Sequence, residues 1–111
     1  MRIKDRIKLA RLVTHLACIY GLTEDDVMGK GKNGRSRKEC HSVARLIFYF
    51  CAYTTCGYNY TEIARLANRR CHGTIISGVR TIKNHMSTNT AVSNHVEGII
   101  HAISNHNNHT A

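Results

Sequence analysis

Within six residues, Arg69-Arg70-Cys71-His72-Gly73-Thr74, the chain sets two fixed cations, a thiol, an imidazole and a hydroxyl at the start of a helical pattern. Ile75, Val79, Ile82 and Met86 follow at helical spacing and mark one face as apolar. The opening lies off that stripe, so packing does not explain it. Guanidinium groups suit phosphate oxygens. An imidazole and a hydroxyl can donate or accept at close range, and Gly73 lets backbone come near a partner. The amides at a helix N-terminus favour anions as well. Ser77 lies one turn beyond Gly73, and Arg80 and Lys83 lie further along.

Two other chemistries compete for these residue types. Cys40-His41, Cys51, Cys56 and Cys71-His72 are zinc-ligand types, but no Cys-x-x-Cys pair sets them at zinc-site spacing. They are better read as small buried apolar residues. His101, His106 and His109 are scattered in the same way. A thiol at a helix N-terminus beside arginines is a setting for a nucleophile, but no orienting acid accompanies Cys71 and no pocket is evident. The expectation is a protein that is not an enzyme and has no metal or cofactor.

The charge balance agrees with an anionic partner. Sixteen Lys and Arg against seven Asp and Glu give +9, a balance that seeks polyanions, nucleic acid first among them. A chain of 111 residues supports one domain. Five cysteines, an odd number, argue for a reducing compartment over a disulfide frame. The N-terminal "MRIKDRIKLARLV" lacks the apolar run of an export leader, and no stretch reaches the length of a membrane span. The expected location is cytoplasmic and nucleoid-associated.

The elements that must hold the basic tip are helices, and the absence of proline agrees with that. Residues 2–20 predict a first helix with Ile3, Ile7, Ala10, Val13, Leu16, Ala17 and Tyr20 on one stripe, closed by Gly21. Thr23 caps a short acidic second helix. The run "GKGKNGRSRKE", residues 29–39, has three glycines, five cations (Lys30, Lys32, Arg35, Arg37 and Lys38) and no apolar residue, so it reads as a basic loop. Residues 40–56 predict the central buried helix, with Val43, Ile47, Phe50, Cys51 and Thr54 on its stripe and Gly57 at its end. Asn59 with Glu62 forms a capping signal for a short helix, Thr61 to Ala67. Residues 72–86 form the next helix, where Gly78 costs about 1 kcal/mol relative to Ala and implies the close approach of another helix. Val92, Val96, Ile99, Ile100 and Ile103 stripe a final one. The fold class is all-α with about six helices, one domain over 1–103 and a disordered polar tail over 104–111.

A short helix, a turn of about four residues and an amphipathic helix make the arrangement of a helix-turn-helix, whose second helix enters the major groove by its N-terminal end. The bare tip fits that use. His72, Thr74 and Ser77 would offer hydrogen bonds to bases, Arg69 and Arg70 would grip phosphates, and Arg80 and Lys83 would reach only the backbone. The expected partner is double-stranded DNA. A weaker alternative lays the basic face of helix 2–20 on anionic lipid or on another protein.

The stretch "YTEIARLANRRCHGTIISGVRTIK" resembles the C-terminal DNA-binding domain of the bacterial replication initiator DnaA. Glu62-Ile63 matches the start of that family's signature. Arg70, His72 and Thr74 match its Arg, His and second Thr, and Ile75 stands for its Val. The likeness covers roughly residues 9–103 and is specific over 60–83. It implies a six-helix fold that reads bases in the major groove with the tip Cys71-His72-Gly73-Thr74. It also implies that an arginine of the basic loop, Arg35 or Arg37, enters the adjacent minor groove. Arg45 falls near a family phosphate contact, and Thr61 at a helix start whose amides touch phosphate. Two positions depart: the family's base-reading Asp is Cys71, and its first Thr is Gly73. Each lost contact removes about 1–3 kcal/mol of discrimination, so the chain is expected not to favour the initiator's usual box. It carries no Gly-Lys-Ser/Thr phosphate loop. The implied role is a stand-alone regulator or replication accessory of a phage or mobile element.

Overall fold

The computed structural model describes residues 5–28, 39–67 and 72–104. They form six helices: α1 (Arg6–Tyr20), α2 (Glu24–Met28), α3 (Glu39–Thr54), α4 (Tyr60–Leu66), α5 (Gly73–Thr88) and α6 (Thr90–Ser104). Among the described residues there is no strand, and the all-α expectation holds. None of these helices is long and apolar enough to cross a membrane.

α3 is the central element because it is apolar on nearly every side. Ile47, Phe48, Tyr49, Phe50, Cys51 and Ala52 are six consecutive buried residues. The helix packs on α1, α2 and α4, and most extensively on α5, while α6 lies across α1 and α5. Thr54, expected on the core stripe, is instead exposed. It stands in the last turn, where its hydroxyl donates back to the Phe50 carbonyl at 2.8 Å.

The first helix also departs from expectation. It begins at Arg6, because Asp5 is in extended backbone and its carboxylate accepts from the Lys8 amide at 2.9 Å. Ile7 is 63% exposed, and the buried residues are Leu12, Val13, Leu16 and Ala17, with Leu9 and Tyr20 packed beside them. The true stripe is rotated away from Ile7 and Ala10. Gly21 ends the helix at φ +66, the left-handed position that glycine reaches without a Cβ penalty.

α5 and α6 carry their stripes as expected: Ile75, Val79 and Ile82 on one, Val96, Ile99 and Ile103 on the other, are buried. Ser104, expected in the polar tail, completes α6, and residues 105–111 lie outside the described residues. Gly78 also behaves as its cost implied. A Cβ there would stand 2.8 Å from Cδ2 of Tyr49 and 3.0 Å from Cδ2 of Leu46, so α3 and α5 meet at bare backbone.

One residue joins α5 to α6. The amide of Asn89 donates to the His85 carbonyl at 2.8 Å and closes α5. Its side-chain oxygen accepts from the Ala91 amide at 3.0 Å and caps α6.

Candidate nucleic-acid interface

α4 and α5 present the candidate tip, and both are fixed from below. Asn59 and Glu62 make the reciprocal capping box: the Glu62 amide donates to Asn59 at 2.8 Å and the Asn59 amide to Glu62 at 3.1 Å. Ile63, Ala64 and Ala67 bury the inner face of α4. Tyr60 stacks on Tyr53 with ring centroids 4.2 Å apart and planes 5° from parallel, which ties the start of α4 to the end of α3. α5 is held along its length by its buried stripe against α3.

The start of α5 differs from other helix starts in the fold. Asp5, Thr23, Asn59 and Asn89 each place a side-chain oxygen on amides of the helix that follows. At α5 the cap residue is His72, in right-handed helical backbone, and its side chain makes no capping bond. Its carbonyl accepts the first helical bond, from the Ile76 amide at 3.0 Å. His72, Gly73, Thr74 and Ser77 are all exposed. The side chains of His72, Thr74 and Ser77 make no hydrogen bond among the described residues, which leaves an imidazole and two hydroxyls turned to solvent over two turns.

Arg80 is exposed on the same helix, as is Lys83. Helical geometry places Gly73, Ser77, Arg80 and Asn84 on one outward face, at i, i+4, i+7 and i+11. Asn84 belongs to that face and was missed, although the spacing from Ser77 was there to read. α5 contains no acidic residue to oppose an anion. Thr61 is exposed in the first turn of α4, where the capping box already occupies the Glu62 amide.

Arg45 requires a correction. Expected at a phosphate, its side chain is 5% exposed and turned into the protein. Its Nε donates to the backbone carbonyl of Asp26 at 2.9 Å. α2 has only five residues, and its carbonyls lack partners within the helix, so a buried donor from α3 supplies one. This arginine fastens α3 to α2 and is buried where an exposed phosphate contact was expected. Arg35, Arg37, Arg69, Arg70 and Cys71 lie outside the described residues.

Three of the cysteines can be placed as free thiols: Cys18, Cys51 and Cys56. Cys51 and Cys56 are fully buried free thiols. Burial pushes the Cys51 thiol up to about 12, with the nearby Cys56 adding to the effect. Cys56 is pushed up to about 11, by burial first and then by Asp5, against a lowering influence of Lys8. Cys18 is an exposed free thiol. No group of three or more His, Cys, Asp or Glu side chains among the described residues is placed to hold a metal ion. The arrangement at α5 is suited to recognition by hydrogen bonding and charge. No protein-family model, curated protein or solved structure matches the chain.

Proposed function

We propose that the protein binds double-stranded DNA by setting the first two turns of α5 into the major groove, as a stand-alone regulator or replication accessory with no catalytic step. The observation that carries this reading is the exposed, uncapped, acid-free start of α5, with His72, Gly73, Thr74 and Ser77 free at the surface above a buried stripe. The small side chains permit close approach to base edges, and the imidazole and hydroxyls supply donors and acceptors. The net charge of +9 supplies long-range attraction to the duplex. The resemblance of residues 60–83 to the DnaA DNA-binding domain supports the same docking. In that reading Arg35 or Arg37 enters the minor groove and Arg69 and Arg70 take phosphates, whereas Arg45 contributes only by holding the fold.

The test is selection from random duplexes at fixed salt, followed by titration of the enriched site. With about five or six phosphates neutralised, log affinity falls against log salt with a slope of about −5. Thr74→Ala and His72→Ala flatten the preference for the selected sequence and leave non-specific affinity close to that of the parent. A protein that binds no duplex at low salt defeats the reading.

A further inference from the structure

A groove runs beside the C-terminal half of α5, between that helix, the end of α3 and the start of α4. Tyr53 and Tyr60 form one wall, Ile76 and Met86 lie partly open along the other, and Arg80 and Lys83 stand exposed on the rim. Phe50 and Val79 floor it from the core. Among the described residues no acidic side chain lines it. Among the described residues neither Arg80 nor Lys83 has a hydrogen-bond or ion-pair partner.

Each half of this arrangement is ordinary, but together they select an occupant. Apolar surface that remains half open in a groove is covered by apolar side chains. Unpaired cations on its rim are answered by carboxylates. A DNA backbone answers the cations but has nothing to lay on Met86 and Ile76. A second copy of this chain does not supply the match among its described residues, because its most acidic helix, α2, buries its only aliphatic residue, Val27. Ile76 to Ser87 covers about 16 Å of helix axis at 1.5 Å per residue, room for three turns of a docked helix with anchors at i, i+4 and i+7.

From this we infer that the α3–α4–α5 groove docks an acidic amphipathic helix of a partner protein, apolar side chains in the groove and Asp or Glu against Arg80 and Lys83. The groove lies beyond the tip residues His72, Gly73, Thr74 and Ser77 and shares only Arg80 and Asn84 with the outward face of α5, so the proposal stands whether or not that tip reads DNA.

The experiment uses the full chain, isotope-labelled, and two 18-residue probe peptides. One carries Leu at i, i+4, i+7 and i+11 flanked by Glu; the other has every Glu replaced by Lys. The Glu peptide is expected to shift the resonances of residues 53–60 and 76–87, and the Lys peptide to leave them in place. Arg80→Glu with Lys83→Glu, both at exposed positions, weakens the Glu peptide by about tenfold, two rim pairs turned from attraction to repulsion, and lets the Lys peptide bind. Met86→Asp removes the apolar anchor and weakens the Glu peptide. Equal binding of the two peptides, binding of neither, or shifts mapping elsewhere overturns the proposal. So does displacement of the Glu peptide by duplex DNA in a variant whose α5 tip has been blocked, since the groove would then belong to the duplex.

Discussion

The Nε–H of Arg45 and the backbone carbonyl of Asp26 meet at 2.9 Å in a half-buried bond from α3 to a residue 19 positions earlier. Arg45→Met keeps most of the stem's packing but leaves that carbonyl without its donor. The bond is half-buried and a hydrogen bond contributes about 0.5–1.5 kcal/mol net, so urea unfolding should show a loss of that size. Duplex affinity measured well below the unfolding midpoint should stay within about twofold of the parent, because phosphate contacts worth more than that belong to other residues. A large fall in affinity without a fall in stability would return Arg45 to the interface.

Two glycines inside helices, Gly78 and Gly98, should respond in opposite directions. At Gly98 an added Cβ meets nothing within 4 Å, so Gly98→Ala gains helix propensity of about 0.5–1 kcal/mol. At Gly78 the same methyl runs into Tyr49, itself buried, and Leu46. Overpacking costs about 1–3 kcal/mol and exceeds the propensity gain, so Gly78→Ala lowers stability. Chemical denaturation of the two variants side by side gives the sign of each.

Gly73 tests the bare tip directly. It is exposed, it lies in the first turn of α5, and its side-chain position faces away from the buried stripe. Gly73→Leu should therefore unfold at nearly the parent temperature. It should also hold the helix off the base edges and remove contacts worth about 1–3 kcal/mol each, a fall in specific duplex affinity of tenfold or more. Unchanged specific affinity would show that this end of α5 does not enter a groove.

The buried thiols set an alkaline limit. Cys51 at about 12 and Cys56 at about 11 are both raised from 9.0, so above pH 9 the folded chain keeps protons that the unfolded chain releases. Stability from these groups is complete below pH 9 and drains away as pH climbs toward 12, by at most about 1.4 kcal/mol per pH unit for each thiol. The Cys51→Ala/Cys56→Ala variant, less stable at neutral pH, should show a shallower decline of the urea midpoint between pH 8 and 10.5. In the folded parent at pH 8, Cys18 should alkylate readily while Cys51 and Cys56 resist until urea is added, which peptide mass mapping resolves.

What the sequence disclosed follows the range over which each signal acts. The Asn59–Glu62 box is complete within four residues and was readable in full. The stripes of α5 and α6 declare themselves by period, and Gly78 by the implausibility of a glycine in mid-helix. α1 was misread because Ile7 extends an aliphatic row to a position that stands exposed, while Leu12 sits beside Arg11 and off that row. The exposure of His72, Gly73, Thr74 and Ser77 was legible because none lies on the buried stripe. The burial of Arg45 was not, since its partner carbonyl comes from another helix and no local pattern marks an arginine as inward-facing.

Asn89 carries a mechanical consequence. With one residue serving as the last lock of α5 and the first of α6, the two helices lack a slack hinge between them. A load that tilts α5 is handed on to α6, and from there to α1 through the 2.8 Å bond between His95 and the Tyr20 hydroxyl. α5, α6 and α1 are thus braced as one stiff unit, with no swivelling arm between the last two helices.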